Sequence, residues 1–140
     1  MMKIIELKPS ETLVIRQAVL WPEKEMDFCR VDGDNQASHF GVVQDNRLVC
    51  VASVYFDASD KRRKIARLRK FATLHEFQGL GIGSFMLEHV ISYVVKSEAD
   101  FMWFDARESA ISFYSRFGFQ CEGDRFYKSG VPYFKMSRQF

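Results

Sequence analysis

The spacing of hydrophobic and polar residues changes along the chain, and each change predicts a different element. An apolar run at residues 3–7 predicts a strand, and residues 12–20 predict a helix capped by Ser10. Pro22 would end that helix, because proline has no backbone N–H to continue the hydrogen bonds. The polar and turn-prone residues 23–38 that follow predict no regular element.

The middle of the chain alternates between strand and helix patterns. Residues 39–43 and 48–56 surround a turn and predict a β-hairpin, and residues 65–74 predict a further strand. Residues 84–97 carry apolar side chains at intervals of three and four, which indicates a helix with one buried stripe. A short apolar strand is predicted at residues 101–104.

The last third of the chain predicts one helix followed by two strands. Asp105 and Glu108 have the spacing of a capping box, so we expect a helix that begins there and ends at Gly118. Strands are then predicted from residue 119 and over residues 133–137. Since strands and helices alternate in the middle, with a hairpin on each side, the fold class is a mixed α/β sheet.

The composition fits a single globular domain spanning residues 1–140, because this length is that of one ordinary domain. Hydrophobic residues make up 47% of the chain and charged residues 27%, which excludes a disordered or collagen-like protein. The net charge of +2 is too close to neutral for a protein whose main task is to wrap nucleic acid.

The three cysteines, Cys29, Cys50 and Cys121, show neither a CxxC pair nor a zinc-ligand spacing. We therefore expect reduced thiols, no disulfide framework and no bound metal. The first residues lack the unbroken apolar core of a signal peptide, and no stretch approaches the roughly 18 apolar residues of a membrane span. These features predict a cytoplasmic protein without a membrane partner.

A glycine-rich loop separates the strand at 65–74 from the helix at 84–97. Backbone N–H groups at a helix N-terminus can converge on an anion, and glycine lets a phosphate approach the backbone closely. The spacing matches neither the dinucleotide-binding GxGxxG motif nor a P-loop. A turn that is rich in glycine only for packing is the alternative. The loop consists of Gln78, Gly79, Leu80, Gly81, Ile82, Gly83 and Ser84.

Three segments carry a resemblance to a known family. Residues 78–83 (QGLGIG) resemble the Gln/Arg-x-x-Gly-x-Gly/Ala motif of the GNAT superfamily of acyl-CoA N-acyltransferases. Residues 110–119 (AISFYSRFGF) are similar to its second motif, and residues 126–136 resemble the closing hairpin of its small bacterial members. Arg107 stands where many members carry Asn, and Tyr133 where the nearest members often carry His, which leaves the acceptor open.

The resemblance implies a largely antiparallel sheet that is splayed between the strands at 65–74 and 101–105 and flanked by helices. The pantetheine arm of acetyl-CoA would lie in that gap, with its amides paired to the backbone and its pyrophosphate held by the loop N–H groups. The cofactor-binding residues that this implies are Phe71, Thr73, Gln78, Gly79, Leu80, Gly81, Ile82, Gly83, Ser84 and Phe113.

The resemblance further implies transfer of an acetyl group from acetyl-CoA to a primary amine of a small molecule or peptide by direct attack. Tyr114 matches the usual general acid, because a phenol with a pKa of about 10 stays protonated and can donate to the departing thiolate. The alternative is that Tyr114, next to Phe113 and Phe117, belongs to the core. A water chain could replace a general base, for which the candidates are Asp105, Glu76, His39 and Glu25.

Other function classes fit parts of the sequence. A non-catalytic acyl-CoA-binding module would have the same fold and loop. A nucleic-acid-associated protein would use the basic residues between 61 and 70, but nearby acids dilute that run. We expect this basic run to be a solvated loop and strand, with one side chain able to reach a carboxylate substrate or a CoA phosphate. Trp21 and Phe28 would line either the acceptor pocket or the core. Both a monomer and a homodimer are compatible with the sequence.

Overall fold

The computed structural model describes residues 1–57, 59–60 and 62–140, and these residues form one seven-stranded sheet. In chain order the strands are β1 (Met2–Leu7), β2 (Ser38–Gln44), β3 (Arg47–Asp57), β4 (Ile65–Thr73), β5 (Phe101–Arg107), β6 (Gln120–Lys128) and β7 (Val131–Gln139). Across the sheet they follow the order β1-β2-β3-β4-β5-β7-β6. All neighbouring pairs are antiparallel except β4 and β5, which run parallel. The predicted mixed, largely antiparallel α/β sheet is therefore confirmed.

The helices flank this sheet on opposite faces, and they are α1 (Leu13–Leu20), α2 (Ile82–Lys96) and α3 (Ile111–Ser115). On one face, Ile15 of α1 packs with Val51 of β3. On the other, Leu87 and Val90 of α2 pack in the larger core cluster with Val54 of β3. Because successive side chains of a strand point to opposite faces, β3 supplies both cores and is buried along most of its length.

The parallel pair β4 and β5 is joined at one end and separated at the other. Its registered pairs are Ile65 with Phe101, Ala66 with Met102 and Arg67 with Trp103. Beyond these pairs both strands continue, and the described residues contain no further pair between them. The sheet is thus splayed between β4 and β5, which confirms the predicted splay.

Strand β4 changes face within its length at Lys70. This residue has a φ of +55°, and the register of the β3–β4 ladder shifts opposite it. Before the bulge, Ala66 and Leu68 face the α2 core, whereas after it Ala72 faces the α1 core. A β-bulge re-aims the side chains that follow it, and here it lies beside the splay.

The predicted starts of two helices, α1 and α2, are wrong. Ser10 does not cap α1, because a 3₁₀ turn over Pro9–Thr12 precedes the helix and the Glu11 carboxylate accepts from Lys8 N–H at 2.7 Å. The predicted helix from residue 84 begins at Ile82 instead, because Gly81 adopts a left-handed conformation at the N-cap.

The predicted capping box at Asp105 and Glu108 is also wrong. Asp105 lies inside β5, which extends to Arg107 because β7 pairs with it along its whole length. A 3₁₀ turn begins only at Glu108, and the following α3 has five residues. Cross-strand pairing from a distant part of the chain therefore overrides the local capping signal.

Elements outside the helices are longer or more numerous than predicted. The last two strands cover nine residues each and form a hairpin whose register shifts between Glu122 and Phe126. The polar segment 23–38 contains two 3₁₀ turns, at Met26–Cys29 and Asp34–Gln36. None of the helices in the described residues combines the length and the apolar character that a membrane crossing requires.

Candidate active site

The glycine loop leaves its backbone open just before α2. Gly79 and Gly81 have φ values of +77° and +84°, a region that L side chains rarely adopt. A Cβ built on either glycine would meet no atom within 4 Å, and the Leu80 side chain between them is 61% exposed. Space therefore exists for a ligand to approach this backbone.

The first turn of α2 follows this open backbone, and no described side chain caps its N–H groups. The N-cap Gly81 provides no side-chain cap, so the N–H groups of Ile82, Gly83 and Ser84 lack the partner that a capping side chain would supply. The helix dipole adds partial positive charge at the same place. Such an end can bind a phosphate or another anion.

Gln78 fastens the glycine loop to the end of β4. Its Nε2 donates a hydrogen bond to the Thr73 carbonyl at 2.9 Å and lies 3.4 Å from Nδ1 of His75. The loop that precedes α2 is thereby held next to the edge of β4 that faces the splay. Gln78 has a positioning contact here, in addition to the binding role that the resemblance implies.

Phe71 of β4 and Phe113 of α3 converge on the first turn of α2. A Cβ built on Gly83 would lie 3.7 Å from the Cζ atom of each ring, which is ordinary van der Waals contact. The two aromatic rings are therefore the groups nearest to this glycine in the first turn of the helix. The structure brings together residues that are 42 positions apart in the sequence, 113 minus 71.

Tyr114 lies inside an aromatic cluster beside the splay. Its ring centroid is 4.4 Å from that of Phe104, 5.1 Å from Phe113 and 6.5 Å from Phe71. Burial among these rings, and then the neighbouring Cys50, raise the pKa of Tyr114 above its ordinary value. The phenol is therefore protonated at neutral pH and can donate a proton.

Cys50 lies under the same region and is held as a neutral thiol. Thr73 Oγ1 donates a hydrogen bond to its Sγ at 3.4 Å. Burial raises the pKa of Cys50 to about 11, against a smaller opposing effect of that hydrogen bond. A neutral buried thiol is a poor nucleophile.

One of the four candidate bases is buried and two lie at the surface. His39 is buried, with Nδ1 2.6 Å from Ser53 Oγ and Nε2 2.8 Å from the Asp34 carbonyl, so both ring nitrogens are used in the interior. Glu25 is exposed, and Glu76 is exposed beside Arg47 at 3.4 Å.

Asp105, the fourth candidate, lies at the splay and is engaged by two cations. Its Oδ2 is 3.1 Å from Lys128 Nζ and 3.5 Å from Arg67 Nη2. Since Met102, Phe104 and Ala106 of β5 face the α2 core, the alternating Asp105 faces the other side of the sheet, on the side of α1.

A cluster of basic side chains lies on the same face of the sheet as Asp105, and the sequence analysis identified only its members between residues 61 and 70. We call it the basic cluster, and it consists of Arg67, Arg69, Lys70, Lys128 and Lys135. Arg67 and Lys135 lie over the Trp103 ring, at 4.2 and 4.8 Å from its centroid. The signal in the sequence is the alternation of Arg67 and Arg69 with the buried Ala66 and Leu68, which places both arginines on one face.

Arg67, Arg69 and Lys70 of the basic cluster belong to the basic run between residues 61 and 70. This run is only partly a solvated loop. Lys61 lies outside the described residues, and Arg62 and Arg63 are exposed, as expected. Arg67 and Lys70 are instead half-buried on the sheet. The predicted solvated character therefore applies to the loop and not to the strand.

Trp21 and Phe28 stand together at the edge of the same face. Their rings make an edge-to-face contact at 5.3 Å between centroids, and Lys70 Nζ lies 4.4 Å from the Trp21 centroid. Phe28 is 52% exposed. This favours a surface next to the basic cluster over a place in the core.

The two positions that depart from the family pattern are neighbours in the structure. Arg107 and Tyr133 are register partners on β5 and β7, and Tyr133 stacks on Phe126 at 5.9 Å between centroids. A pocket of about 260 Å³ lies beside them and is lined by Arg107, Glu108, Ser109, Val131 and Pro132. Within the described ranges, no group of three His, Cys, Asp or Glu side chains could hold a metal ion.

The sequence of this chain matches a family model and a bacterial protein. A family model described as an acetyltransferase (GNAT) domain matches residues 22–140. A Bacillus subtilis protein named uncharacterized N-acetyltransferase YitI is 24% identical over 135 residues, which cover 94% of this chain and 91% of that protein.

Solved structures share the fold over almost the whole chain. Escherichia coli ElaA matches with a TM-score of 0.82 and 20% identity, covering 99% of this chain and 100% of that chain. Arabidopsis thaliana Naa50, solved with the bisubstrate analogue CoA-Ac-MVNAL, matches with a TM-score of 0.78 and 18% identity, covering 99% of each chain.

Proposed function

Because the chain belongs to the GNAT family of acetyltransferases, we propose that residues 1–140 form one domain that transfers an acetyl group from acetyl-CoA to a primary amine. The observation that carries this proposal is the unpaired edge of β4, which opens toward the uncapped N-terminus of α2. An extended ligand with amide groups at one end and phosphates at the other matches these two features.

The donor site is proposed along β4 and the glycine loop. Backbone groups of Phe71 and Thr73 would pair with the pantetheine amides, and the N–H groups from Gly79 to Ser84 would bind the pyrophosphate. The Gly81 backbone has the open space that a phosphate needs, since no atom lies within 4 Å of a Cβ built there. Naa50, which shares the fold, was solved with an analogue that contains CoA and an acetyl group.

The chemistry needs three functions around the thioester. A neutral amine nitrogen attacks the carbonyl carbon, and a backbone N–H near Thr73 stabilises the negative charge that develops on the carbonyl oxygen. The carbon–sulfur bond then breaks, and the Tyr114 hydroxyl gives its proton to the departing thiolate. The proton that the amine loses passes to solvent, and the Tyr114 phenolate regains a proton from solvent to complete the cycle. The raised pKa of Tyr114 keeps the phenol protonated at neutral pH, so its hydroxyl is present as a donor when sulfur gains charge.

The donor site can be tested with Gly81→Asp, which places a carboxylate where the pyrophosphate would bind. We expect acetyl-CoA binding, measured by isothermal titration calorimetry, to fall below detection. Gly123→Asp is the matched control, because Gly123 also has a positive φ, of +71°, and no atom within 4 Å of its added Cβ. A folded Gly81→Asp protein that binds acetyl-CoA as the wild type does would overturn the donor site.

Turnover is tested separately, by release of the CoA thiol from acetyl-CoA with a panel of amines. Release that depends on an amine supports the proposed reaction. Acetyl-CoA binding without thiol release for any amine would show a non-catalytic acyl-CoA-binding module instead.

A further inference from the structure

The basic cluster begins where the two central strands separate. Arg67 and Trp103 form the last registered pair of β4 and β5, and Asp105 follows on the same face. The splay that would hold the donor therefore opens on its α1 side directly beside these side chains. An acceptor amine that reaches the thioester from this side must pass them.

Positive charge exceeds negative charge on this face. Asp105 pairs with Lys128 and Arg67, and Glu122 pairs with Lys135 at 3.5 Å. Two carboxylates thus face the five cations of the basic cluster. Arg67 and Lys128 share one carboxylate, Asp105. Arg69 and Lys70 contact aromatic rings.

Arg69 and Lys70 lie against aromatic rings instead of carboxylates. Arg69 is 5.8 Å from the Tyr55 centroid and Lys70 is 4.4 Å from the Trp21 centroid, and neither has an ion pair in the part of the chain that the structure describes. The Arg67 Nε is buried and has no hydrogen-bond partner among the described residues. The cluster therefore keeps unused capacity to bind an anion.

The excess charge acts on Lys70 itself. Burial lowers the pKa of Lys70, and nearby positive charges contribute to bringing it to about 8. Those charges belong to Arg69, Lys128, Arg16 and Arg67, which come from α1, β4 and β6. A second ammonium group placed here would meet the same repulsion, whereas an anion would relieve it.

We propose that the acceptor amine also carries an anionic oxygen group, such as a carboxylate or phosphate, and that this group binds at the basic cluster with Lys70 and Lys128 as its main contacts. This assignment rests on the proposed function. Charge-assisted hydrogen bonds from arginine and lysine would orient the acceptor, with its amine directed into the splay. Polyamines and other purely cationic amines are excluded by the same charges.

The first test compares acceptors of different charge. Thiol release is measured with acetyl-CoA and a library of anionic, neutral and cationic primary amines, including amino acids, their carboxamides and their phosphonate analogues. We expect the highest kcat/KM among the anionic amines, with the carboxamide of the best acceptor at least roughly tenfold worse. Matched carboxylate and phosphonate compounds on one skeleton then show which anion the site prefers.

The second test uses charge variants of the cluster. Lys70→Met and Lys128→Met should each raise the KM of an anionic acceptor by roughly tenfold, with little change in the dissociation constant of acetyl-CoA. Lys128→Glu should shift the preference toward neutral or cationic amines. The matched control is Lys3→Met, an exposed lysine on β1, which should leave both constants unchanged.

The outcomes separate this assignment from the proposed function. Efficient turnover of neutral or cationic amines, with a KM that Lys70→Met and Lys128→Met do not alter, overturns the acceptor assignment alone. Absence of thiol release with every amine, in a protein that still binds acetyl-CoA, overturns the proposed reaction and the acceptor assignment together.

Discussion

Arg16 and Asp34 form a bidentate ion pair beneath α1, with Nη1 2.9 Å from Oδ2 and Nη2 3.1 Å from Oδ1. Arg16 is 0% exposed, and it also donates to the Cys29 carbonyl at 3.1 Å and to Ser53 Oγ at 3.0 Å. One guanidinium thus joins α1, the segment 23–38 and β3. It fastens to the sheet a segment that otherwise has only short 3₁₀ turns.

Asp34→Ala should strongly destabilise the protein, because it leaves the buried Arg16 charge without its partner. The expected loss is about 3–5 kcal/mol in the free energy of unfolding, measured by urea denaturation. Asp27→Ala is the control, since Asp27 pairs with Arg30 on the surface and should cost at most about 1 kcal/mol. Equal losses in the two variants would contradict a structural role for the buried pair.

Acid should weaken the fold through the same carboxylate. Burial alone would raise the pKa of Asp34, but hydrogen bonds from Arg16, Tyr55 and the Val31 N–H lower it to about 2. A lowered folded-state pKa gives stability that is complete above the unfolded value near 4 and is lost as the pH falls toward 2. Unfolding measured between pH 5 and 2 should show this loss in the wild type and a smaller one in Asp34→Asn. Parallel pH curves for the two proteins would contradict the prediction.

Tyr114→Phe should lower turnover while leaving the fold and donor binding nearly intact. The substitution removes only the hydroxyl, so the ring contacts with Phe104 and Phe113 persist. We expect kcat at saturating amine to fall by roughly 10²–10⁴-fold, the range for a positioned acid. The dissociation constant of acetyl-CoA should stay the same, because the proton is needed only as charge develops on sulfur.

The control for this variant is Tyr127→Phe, which removes a hydroxyl from an exposed tyrosine on β6. It should retain full turnover. Wild-type turnover in Tyr114→Phe, measured where chemistry limits the rate, would assign Tyr114 to the core and require another proton donor.

Alkylation should distinguish the three cysteines by burial. Cys121 is exposed, whereas Cys29 and Cys50 are buried and burial raises the pKa of both thiols. Iodoacetamide should therefore label Cys121 in the native protein and the other two only after denaturation, as read by peptide mass spectrometry. The labelled native protein should retain its turnover. Loss of turnover that follows labelling of a single thiol would point to a covalent acyl-enzyme.

Local patterns in the sequence were sufficient to predict most elements and the glycine loop. The apolar period over residues 84–97 identified α2, because one helix face packs against the sheet whatever its neighbours are. The glycines at 79 and 81 identified a backbone that adopts positive φ and stays open. Both are short-range properties, since they depend on residues within one or two turns.

Positions governed by distant partners could not be predicted in this way. Asp105 has a local capping signal, yet pairing with β7 places it in a strand, where Lys128 contacts it from 23 residues away. His39 is a candidate base in the sequence, but in the structure both of its ring nitrogens contact interior groups, Ser53 Oγ and the Asp34 carbonyl.

The sequence by itself determined the alternation of strands and helices, the glycine loop before α2 and the membership in an acetyltransferase family. The tertiary structure alone decided which charges meet: Lys70 and Lys128 are 58 positions apart, 128 minus 70, and neither has a local signal that points to the other. Strand order and the bulge at Lys70 bring them to one face of the splay. Because burial and charge act through space, their effect on a side chain depends on the whole sheet around it.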